Sequence, residues 1–455
     1  MAAIKQTNDK REIFGWGMYD WANSAFSTTI GTVFLGPYLA SLANAVAVET
    51  PNGPMAYIGS LPIAPDSFLP YCVSFSVLLQ VLFLPILGAI ADYSHMRKQL
   101  MQVFATIGAI ASILLFFVEG DLWVMGGLLY IVANLSFGAA MVFYNAYLPD
   151  IASEDQRDRV SSYGWAMGYL GGGLLLLLNL MFYQFHESLG IATGLAVRIN
   201  LASAGFWWLG FSFFTWVRLQ PRHAHRSLPV GETYISVGFR QLAGTVRQLK
   251  NFPETLKYLF SYFLYNDGIQ TVIAVSATFA AAPLIRGGLE METGTLTMVI
   301  LMIQFVAFFG ALFWGKLAGW IGAKNAIIAS LVIWSGVVIY AYGGLQGDSR
   351  VTQFFILGAF IAIVMGGSQA ISRSLFSQMI PQGKEAEFYS FYEVSERGTS
   401  WIGPLIFGLM NQMFGDLRLA ILSLIFFFVV GLVTLPFVNV EKAIADVKKF
   451  DSEIA

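Results

Sequence analysis

Residues 77–105 read VLLQVLFLPILGAIADYSHMRKQLMQVFA, and this stretch decides the fold class. It contains the end of an apolar run at 67–91, a short turn with the charges Asp92, Arg97 and Lys98, and the start of a second run at 99–118. A helix needs about 20 apolar residues to cross a bilayer, and both runs reach that length. The pattern therefore predicts two membrane-crossing helices joined by a turn at the membrane surface.

The rest of the chain repeats this pattern. Of its 455 residues, 56% are hydrophobic and only 12% are charged, whereas a soluble domain has about 25% charged residues. Runs of spanning length fall at 14–41, 67–91, 99–118, 122–148, 160–185, 198–217, 257–285, 294–318, 325–344, 351–380, 388–414 and 417–438. Such runs are too long for barrel strands, and helices satisfy their own backbone groups in lipid. We therefore predict an all-α membrane protein with twelve transmembrane helices and no large catalytic domain outside the membrane.

Bulk charge and cysteine content exclude other classes of protein. The formal net charge of −2 gives no basic surface of the kind that binds nucleic acid. A single cysteine, Cys72, and four scattered histidines form neither an internal disulfide nor a cysteine-rich metal site. We expect no nucleic-acid partner, no metal and no cofactor.

The placement of Lys and Arg predicts the orientation in the membrane. Only four of the 26 such residues fall in the segments on one side, and they are Arg198, Arg286, Arg350 and Arg418. Positively charged loops stay on the cytoplasmic side. Both termini are therefore predicted to be cytoplasmic.

A polar interruption at 219–255 separates six runs from six and predicts two bundles, at 1–218 and 256–455. Within this cytoplasmic linker, Phe239, Leu242, Val246 and Leu249 recur at helical spacing. The spacing suits an amphipathic helix on the inner membrane surface and, equally, a solvated linker helix.

The two halves repeat short motifs in the same order. YDWANSAFSTTI from Tyr19 aligns with YFLYNDGIQTVI from Tyr262, and GAIADYSHMRK from Gly88 aligns with GKLAGWIGAK from Gly315. Many transporters are built from duplicated helix bundles. We therefore predict two pseudo-symmetric six-helix bundles.

Two motifs carry a family resemblance. Gly88, Asp92, Arg97 and Lys98 resemble the loop signature of the major facilitator superfamily, G-x-x-x-D-x-x-x-x-[RK]-[RK], although the second copy has Gly319 in place of the acid. The segment YDWANSAF resembles the hallmark of the subgroup of autophagy-related vacuolar amino-acid effluxers and their bacterial relatives. The resemblance implies the major facilitator fold, with alternating access between two bundles and a central cavity lined by helices 1, 4, 7 and 10. It also favours a bacterial inner membrane.

The signature loop is predicted to act as a gate. Asp92 can pair with Arg97 or meet the positive N-terminus of a helix from the other bundle, which would latch the inner side shut. The alternative is a plain tight turn with anchoring cations.

Polar side chains inside the apolar runs form the candidate solute site. In the first run, Asp20, Asn23, Ser24 and Ser27 share one helix face. The seventh run also has polar residues, among them Asn266 and Gln270. The tenth run has Gln369 and Arg373, which are one turn apart. The candidate solute-binding residues are Asn23, Ser24, Ser27, Asn266, Gln270, Gln369 and Arg373. Alternatively, these polar side chains hydrogen-bond between helices and hold the bundles together.

Ionisable residues inside the membrane are costly, so they are normally paired or functional. Arg373 needs an anion, which is either the carboxylate of a solute or an acidic side chain such as Asp267 or Glu393. Glu393 and Arg397 have the i, i+4 spacing of an ion pair. The candidates for carrying a coupled proton are Asp20, Asp267 and Glu396.

These features favour a secondary transporter for a small polar solute, driven by protons or by the solute gradient. The chain has no P-loop that would bind ATP. The resemblance implies a neutral amino acid, with its carboxylate on Arg373 and its ammonium group on Asp20 or Asp267. The alternative is a receptor or assembly subunit that moves nothing, in which Asn23, Asn266 and Arg373 would be replaceable. An enzyme is disfavoured because H-E-x-x-H and G-x-S-x-G motifs are absent. The expected partners are the solute, protons and the lipid bilayer, and we expect a monomer.

Overall fold

A computed structural model describes residues 7–50, 53–93, 96–222, 249–397 and 402–454. The first half of the chain forms helices α1 (Lys10–Ala45), α2 (Phe68–Tyr93), α3 (Arg97–Leu114), α4 (Trp123–Asn145), α5 (Arg157–Phe185) and α6 (Thr193–Arg218). The second half forms α7 (Pro253–Ala281), α8 (Thr293–Ile321), α9 (Ala323–Gly343), α10 (Arg350–Ser377), α11 (Glu385–Arg397), α12 (Ile402–Phe414), α13 (Leu417–Ser423), α14 (Ile425–Thr434) and α15 (Val440–Ile454).

Each predicted apolar run contains helix. The first ten runs correspond to α1–α10, the eleventh to α11 and α12, and the twelfth to α13 and α14. Among the described residues, nine helical segments are long and apolar enough to cross a membrane, and α6, α7 and the α11–α12 segment are not among them. The helical architecture agrees with the prediction, whereas the count of twelve crossings stays a prediction.

The helices pack as two groups. In the first group α1 lies against α5 and α6, and α4 lies against α2 and α3; in the second, α10 lies against α8 and α9, and α7 lies against α14. Helix α5 contacts α8 and α10, and α2 contacts α11, so these helices join the groups. Glycines allow the close approach of α5 to α1, because a Cβ atom at Gly168 would lie 2.7 Å from Ser24 Oγ.

Three features differ from the sequence-based expectation. Between α1 and α2, the strands β1 (Val48–Thr50), β2 (Gly53–Ile58) and β3 (Leu61–Ile63) form an antiparallel sheet in the order β1-β2-β3. Helix α1 has π-helical geometry over Phe26–Phe34. After the twelfth apolar run, the residues at the chain end form the helix α15, which was not predicted. The predicted linker helix around Phe239 to Leu249 lies mostly outside the described residues.

The first and last described residues lie on the same side of the protein. Asn8 N donates to Ile151 O at 2.8 Å, and Lys448 of α15 lies 3.4 Å from Glu154 in the same segment between α4 and α5. We call this side, which also carries the loop between α2 and α3, the terminal face. That the terminal face is cytoplasmic stays a prediction.

Candidate functional site

A cavity of about 420 Å³ lies between the two groups of helices. Polar side chains from both groups contribute to its wall. The lining residues are Asp20, Asn23, Ser24, Ser27, Thr28, Thr32, Val73, Val77, Tyr130, Asn134, Phe137, Met141, Asn145, Trp165, Gly168, Tyr169, Gln270, Ile273, Gln304, Met365, Gln369, Arg373, Tyr392, Glu393 and Glu396. Six of the seven candidate solute-binding residues are among them, and Asn266 is the exception.

Arg373 projects from α10 of the second group into the first group. Its side chain is 2% exposed. Arg373 Nε donates to Ser161 Oγ at 2.9 Å, and Arg373 Nη2 donates to Ser161 O at 2.7 Å. Arg373 Nη1 lies 3.4 Å from Asp20 Oδ2 and 3.3 Å from Asn145 Oδ1. One guanidinium therefore holds α1, α4 and α5 against α10.

Aromatic rings surround this guanidinium. The Arg373 Cζ atom lies 4.9 Å from the Trp16 ring centroid, 5.6 Å from that of Tyr144 and 5.5 Å from that of Trp165. Ring faces attract cations, more strongly where water is excluded. The rings thus stabilise the charge from several sides while leaving Asp20 as its anionic partner.

The acidic partner differs from the predicted one. The sequence left two anions open for Arg373, the carboxylate of a solute or an acidic side chain such as Asp267 or Glu393. In the structure Arg373 forms its ion pair with Asp20 of α1. Tyr144 Oη also donates to Asp20 Oδ2, at 2.7 Å, and fixes the carboxylate in place. This pairing was not predictable because the two residues stand on opposite bundles, and sequence spacing does not report contacts between bundles.

Asn266 and Asp267 of α7 are not among the residues that line the cavity, in contrast to the predicted roles of both. Asp267 Oδ2 accepts a hydrogen bond from Gly403 N at 2.8 Å, and Asn266 Nδ2 donates to Glu396 O at 3.3 Å. Gln270, one turn further along α7, lines the cavity instead. Polar residues on adjacent helix faces look equivalent in sequence, and only packing decides which of them meets the cavity.

Glu393 and Glu396 of α11 both line the cavity. Asn145 Nδ2 donates to Glu393 Oε1 at 2.7 Å, and Tyr262 Oη donates to Glu396 Oε2 at 3.1 Å. The amide of Asn145 from the first group therefore bridges Arg373 and Glu393, which both belong to the second group. The side chain of Arg397 lies outside the described residues, so the pairing of Glu393 with Arg397 stays a prediction.

Several site residues were missed by the sequence reasoning. Gln304 lines the cavity from α8, and Tyr169 Oη donates to Gln369 Oε1 at 3.0 Å from α5. Asn145 and Ser161 hold Arg373, although each is an ordinary polar residue near the end of an apolar run. A polar residue within such a run was the available signal, but it does not separate cavity-lining residues from those that join helices.

The signature loop joins the two groups of helices at the terminal face. Asp92 pairs with Arg97 at 2.9 Å and also accepts hydrogen bonds from the backbone N–H groups of Ala386, at 3.0 Å, and Glu387, at 2.8 Å. These N–H groups belong to the first turn of α11 in the other group, where the helix dipole favours an anion. Both predicted arrangements of Asp92 are therefore present at once.

Two carboxylates that were not predicted complete this cluster. Arg97 pairs with Asp150 and with Glu385, each at 3.0 Å. Gly88 lies at the contact of α2 with α11, because a Cβ atom there would be 2.5 Å from Ala386 O. Lys98 is half-buried on α3.

Comparisons with known proteins agree with this architecture. Residues 8–448 match the family model described as vacuole effluxer Atg22 like. The chain is 28% identical over 441 residues to an uncharacterized MFS-type transporter, YxiO, of Bacillus subtilis, which covers 96% of this chain and 97% of the relative. It is 25% identical over 556 residues to autophagy-related protein 22-1 of Penicillium rubens, which covers 98% of this chain and 92% of the relative.

A solved structure supports the fold. The human organic anion transporter MFSD10 (TETRAN) superposes with a TM-score of 0.68 at 13% identity, covering 94% of this chain and 100% of that one. The predicted all-α major facilitator fold and the predicted resemblance are confirmed.

Proposed function

This chain belongs to the family of vacuole effluxer Atg22-like proteins, and from that membership we propose that it carries a neutral amino acid across the membrane by alternating access, coupled to protons. The family and its relatives are transporters of the major facilitator type rather than enzymes. The chain is accordingly a multi-pass membrane protein that moves a small-molecule solute. Its substrate and its coupling ion are the parts that we propose.

The ion pair of Arg373 with Asp20 is the observation that carries the substrate proposal. A zwitterion that leaves water needs both of its charges compensated. The guanidinium fork matches a carboxylate, and a carboxylate can accept hydrogen bonds from an ammonium group. At 3.4 Å, the contact of Arg373 Nη1 with Asp20 Oδ2 is long for a charged hydrogen bond. An amino acid that inserts between Arg373 and Asp20 would replace their ion pair by two others, its carboxylate with Arg373 and its ammonium group with Asp20.

Such an exchange would link binding to movement. Arg373 and Asp20 belong to different bundles, and Asp92 holds α11 from the other bundle at the terminal face. Insertion of a solute weakens the direct contact between bundles at the cavity, so the latch at the terminal face is left to hold them. We propose that binding thereby favours the conformation in which the terminal face opens.

For the coupled proton we propose Asp20 and Glu396, which both line the cavity. Protonation of Asp20 would remove the negative charge that faces Arg373 and would free the guanidinium for the carboxylate of the solute. Asp267 is a weaker candidate because it lies outside the cavity and is bound to Gly403.

The test is uptake of labelled neutral amino acids into proteoliposomes, with and without a pH gradient. We expect uptake that a pH gradient accelerates. Arg373→Lys should lower the apparent affinity about 10-fold to 100-fold, because a lysine cannot replace the bidentate charged hydrogen bonds. Glu119→Gln is the control, since it removes one carboxylate whose side chain is 64% exposed from an ion pair outside the cavity.

Two outcomes would contradict the proposal. Absence of flux for every neutral amino acid would remove the substrate assignment. Ligand-induced thermal stabilisation without any flux would favour a receptor that binds but does not transport.

A further inference from the structure

A second cavity of about 630 Å³ lies at the terminal face, apart from the solute site. It is bounded by the start of α1, the segment before α5, the start of α5 and one residue of α8. The lining residues are Asn8, Lys10, Ile13, Phe14, Ser153, Asp155, Gln156, Arg159, Val160, Tyr163 and Leu312. Its volume is in the range of about 300–1,000 Å³ that is typical of small-molecule sites.

The base of this cavity is held by hydrogen bonds. Asn8 Nδ2 donates to Ser153 Oγ at 2.8 Å, and Ser153 N donates to Asn8 Oδ1 at 3.1 Å. Ser153 Oγ and Gln156 Nε2 also donate to the Asp155 carboxylate and lower its pKa. The single acid of the cavity is therefore already bound by its neighbours.

Two cations at the rim have no such partners. Lys10 and Arg159 are both exposed, and within the described part of the chain neither forms an ion pair. Gln156, which precedes α5, makes no capping hydrogen bond with its side chain, so the first N–H groups of α5 add to the positive potential. Among the residues that the structure describes, the rim thus presents two positive charges without an ion-pair partner against one occupied carboxylate.

An aromatic residue lies one turn below each cation. Phe14 follows Lys10 by four residues on α1, and Tyr163 follows Arg159 by four residues on α5. Residues at i and i+4 lie on one helix face, about 6 Å apart along the axis. In a bilayer crossed by α1 and α5, each wall would place a cation near the lipid head groups and an aromatic ring one turn deeper, where acyl chains begin.

The remaining wall comes from the second group of helices. Leu312 of α8 is 41% exposed and Phe14 is 37% exposed, so both apolar side chains are open to the cavity. Apolar surface that remains exposed beside paired cations suits a ligand with an anionic head and an apolar tail.

We propose that this cavity binds an anionic phospholipid from the surrounding membrane. Its phosphate lies between Lys10 and Arg159, and an acyl chain runs over Phe14, Tyr163 and Leu312. Because Leu312 belongs to the second bundle and the cations to the first, the lipid contacts both bundles at the terminal face. It would stabilise the conformation in which that face is closed, whichever solute the transporter carries.

The experiment compares the thermal stability of the purified chain in detergent with added phosphatidylglycerol or phosphatidylcholine, and counts bound lipid by native mass spectrometry. We expect phosphatidylglycerol to raise the midpoint and phosphatidylcholine to leave it nearly unchanged, because a ligand of the folded state stabilises it. In the double variant Lys10→Gln with Arg159→Gln, the apparent affinity for phosphatidylglycerol should fall at least about 10-fold.

The control removes two other exposed cations, by Lys250→Gln with Lys442→Gln, and should keep the wild-type response. An equal loss in both double variants would show general surface charge and overturn the proposal. So would an equal stabilisation by inorganic phosphate, which would show a site for a free anion. Leu312→Ala keeps both cations and should weaken binding of the lipid while leaving the response to phosphate unchanged.

Discussion

We call the conformation in which the two groups of helices meet at the terminal face the closed conformation. In it, replacing Asp20 by Asn leaves Arg373 charged, 1% exposed and without its opposite charge. Removal of one partner from a buried ion pair costs about 3–5 kcal/mol. When the bundles move apart at the terminal face, Asp20 and Arg373 would separate, and the substitution then removes no ion pair. The cost therefore applies mainly to the closed conformation. A cost of about 3 kcal/mol changes the equilibrium about 100-fold.

Labelling of a cysteine at the contact between bundles measures this equilibrium. Ser390 of α11 is 0% exposed, and its Cβ would lie 3.0 Å from a Cβ atom built at Gly88. Cys72 is the only native cysteine, so Cys72→Ser with Ser390→Cys provides a single reporter. The rate of labelling by a maleimide follows the open population, and we expect Asp20→Asn to increase it about 100-fold.

A double-mutant cycle tests whether the ion pair is the cause. Arg373→Gln should increase labelling by a similar factor, because it leaves Asp20 buried without its cation. The combined variant has neither buried charge. Its labelling rate should therefore increase by much less than the product of the two single increases, which corresponds to a coupling free energy of about 2 kcal/mol. Additive single effects, or a similar increase in the control Glu119→Gln, would refute the reasoning.

Three further predictions concern neighbouring contacts. Asp92→Asn should increase labelling of the Ser390→Cys reporter about 10-fold to 100-fold, because two backbone N–H groups of α11 lose a charged acceptor. Gly88→Ala should also increase labelling of this reporter, by about 10-fold, because the new methyl group would collide with the backbone of α11. Gly194→Ala is the control and should have no effect, because a methyl group there meets open space. Asp267→Asn should lower the thermal midpoint but keep the apparent solute affinity within about threefold, because Asp267 lies outside the cavity; a larger loss of affinity would contradict its placement.

Much of the cavity lining was predictable because polar residues are rare inside apolar runs. Asn23, Ser24, Ser27, Gln369 and Arg373 were identified in this way, and all of them line the cavity. The same reasoning selected Asn266, which faces α11 instead. Burying a polar group in lipid costs free energy, and this cost identifies such residues. A hydrogen bond to a neighbouring helix and exposure to a cavity both avoid the cost, so it does not tell the two apart.

The contacts of the signature loop were predictable in part for a similar reason, whereas its action as a gate stays a prediction. The motif around Asp92 indicated an anion near the N-terminus of a helix from the other bundle, and α11 supplies that helix. Asp150 and Glu385 were not predicted, because in the sequence each is an ordinary acid between two apolar runs, and only the fold brings it to Arg97.

The sequence by itself determined that this chain folds as apolar helices. In lipid a backbone must satisfy its own hydrogen bonds, and that requirement acts within each run of about 20 residues. Only the tertiary structure decided how each helix is rotated and which charges meet. Asp20 and Arg373 are 353 residues apart, and their contact depends on the packing of α1, α4, α5 and α10, which no local pattern contains.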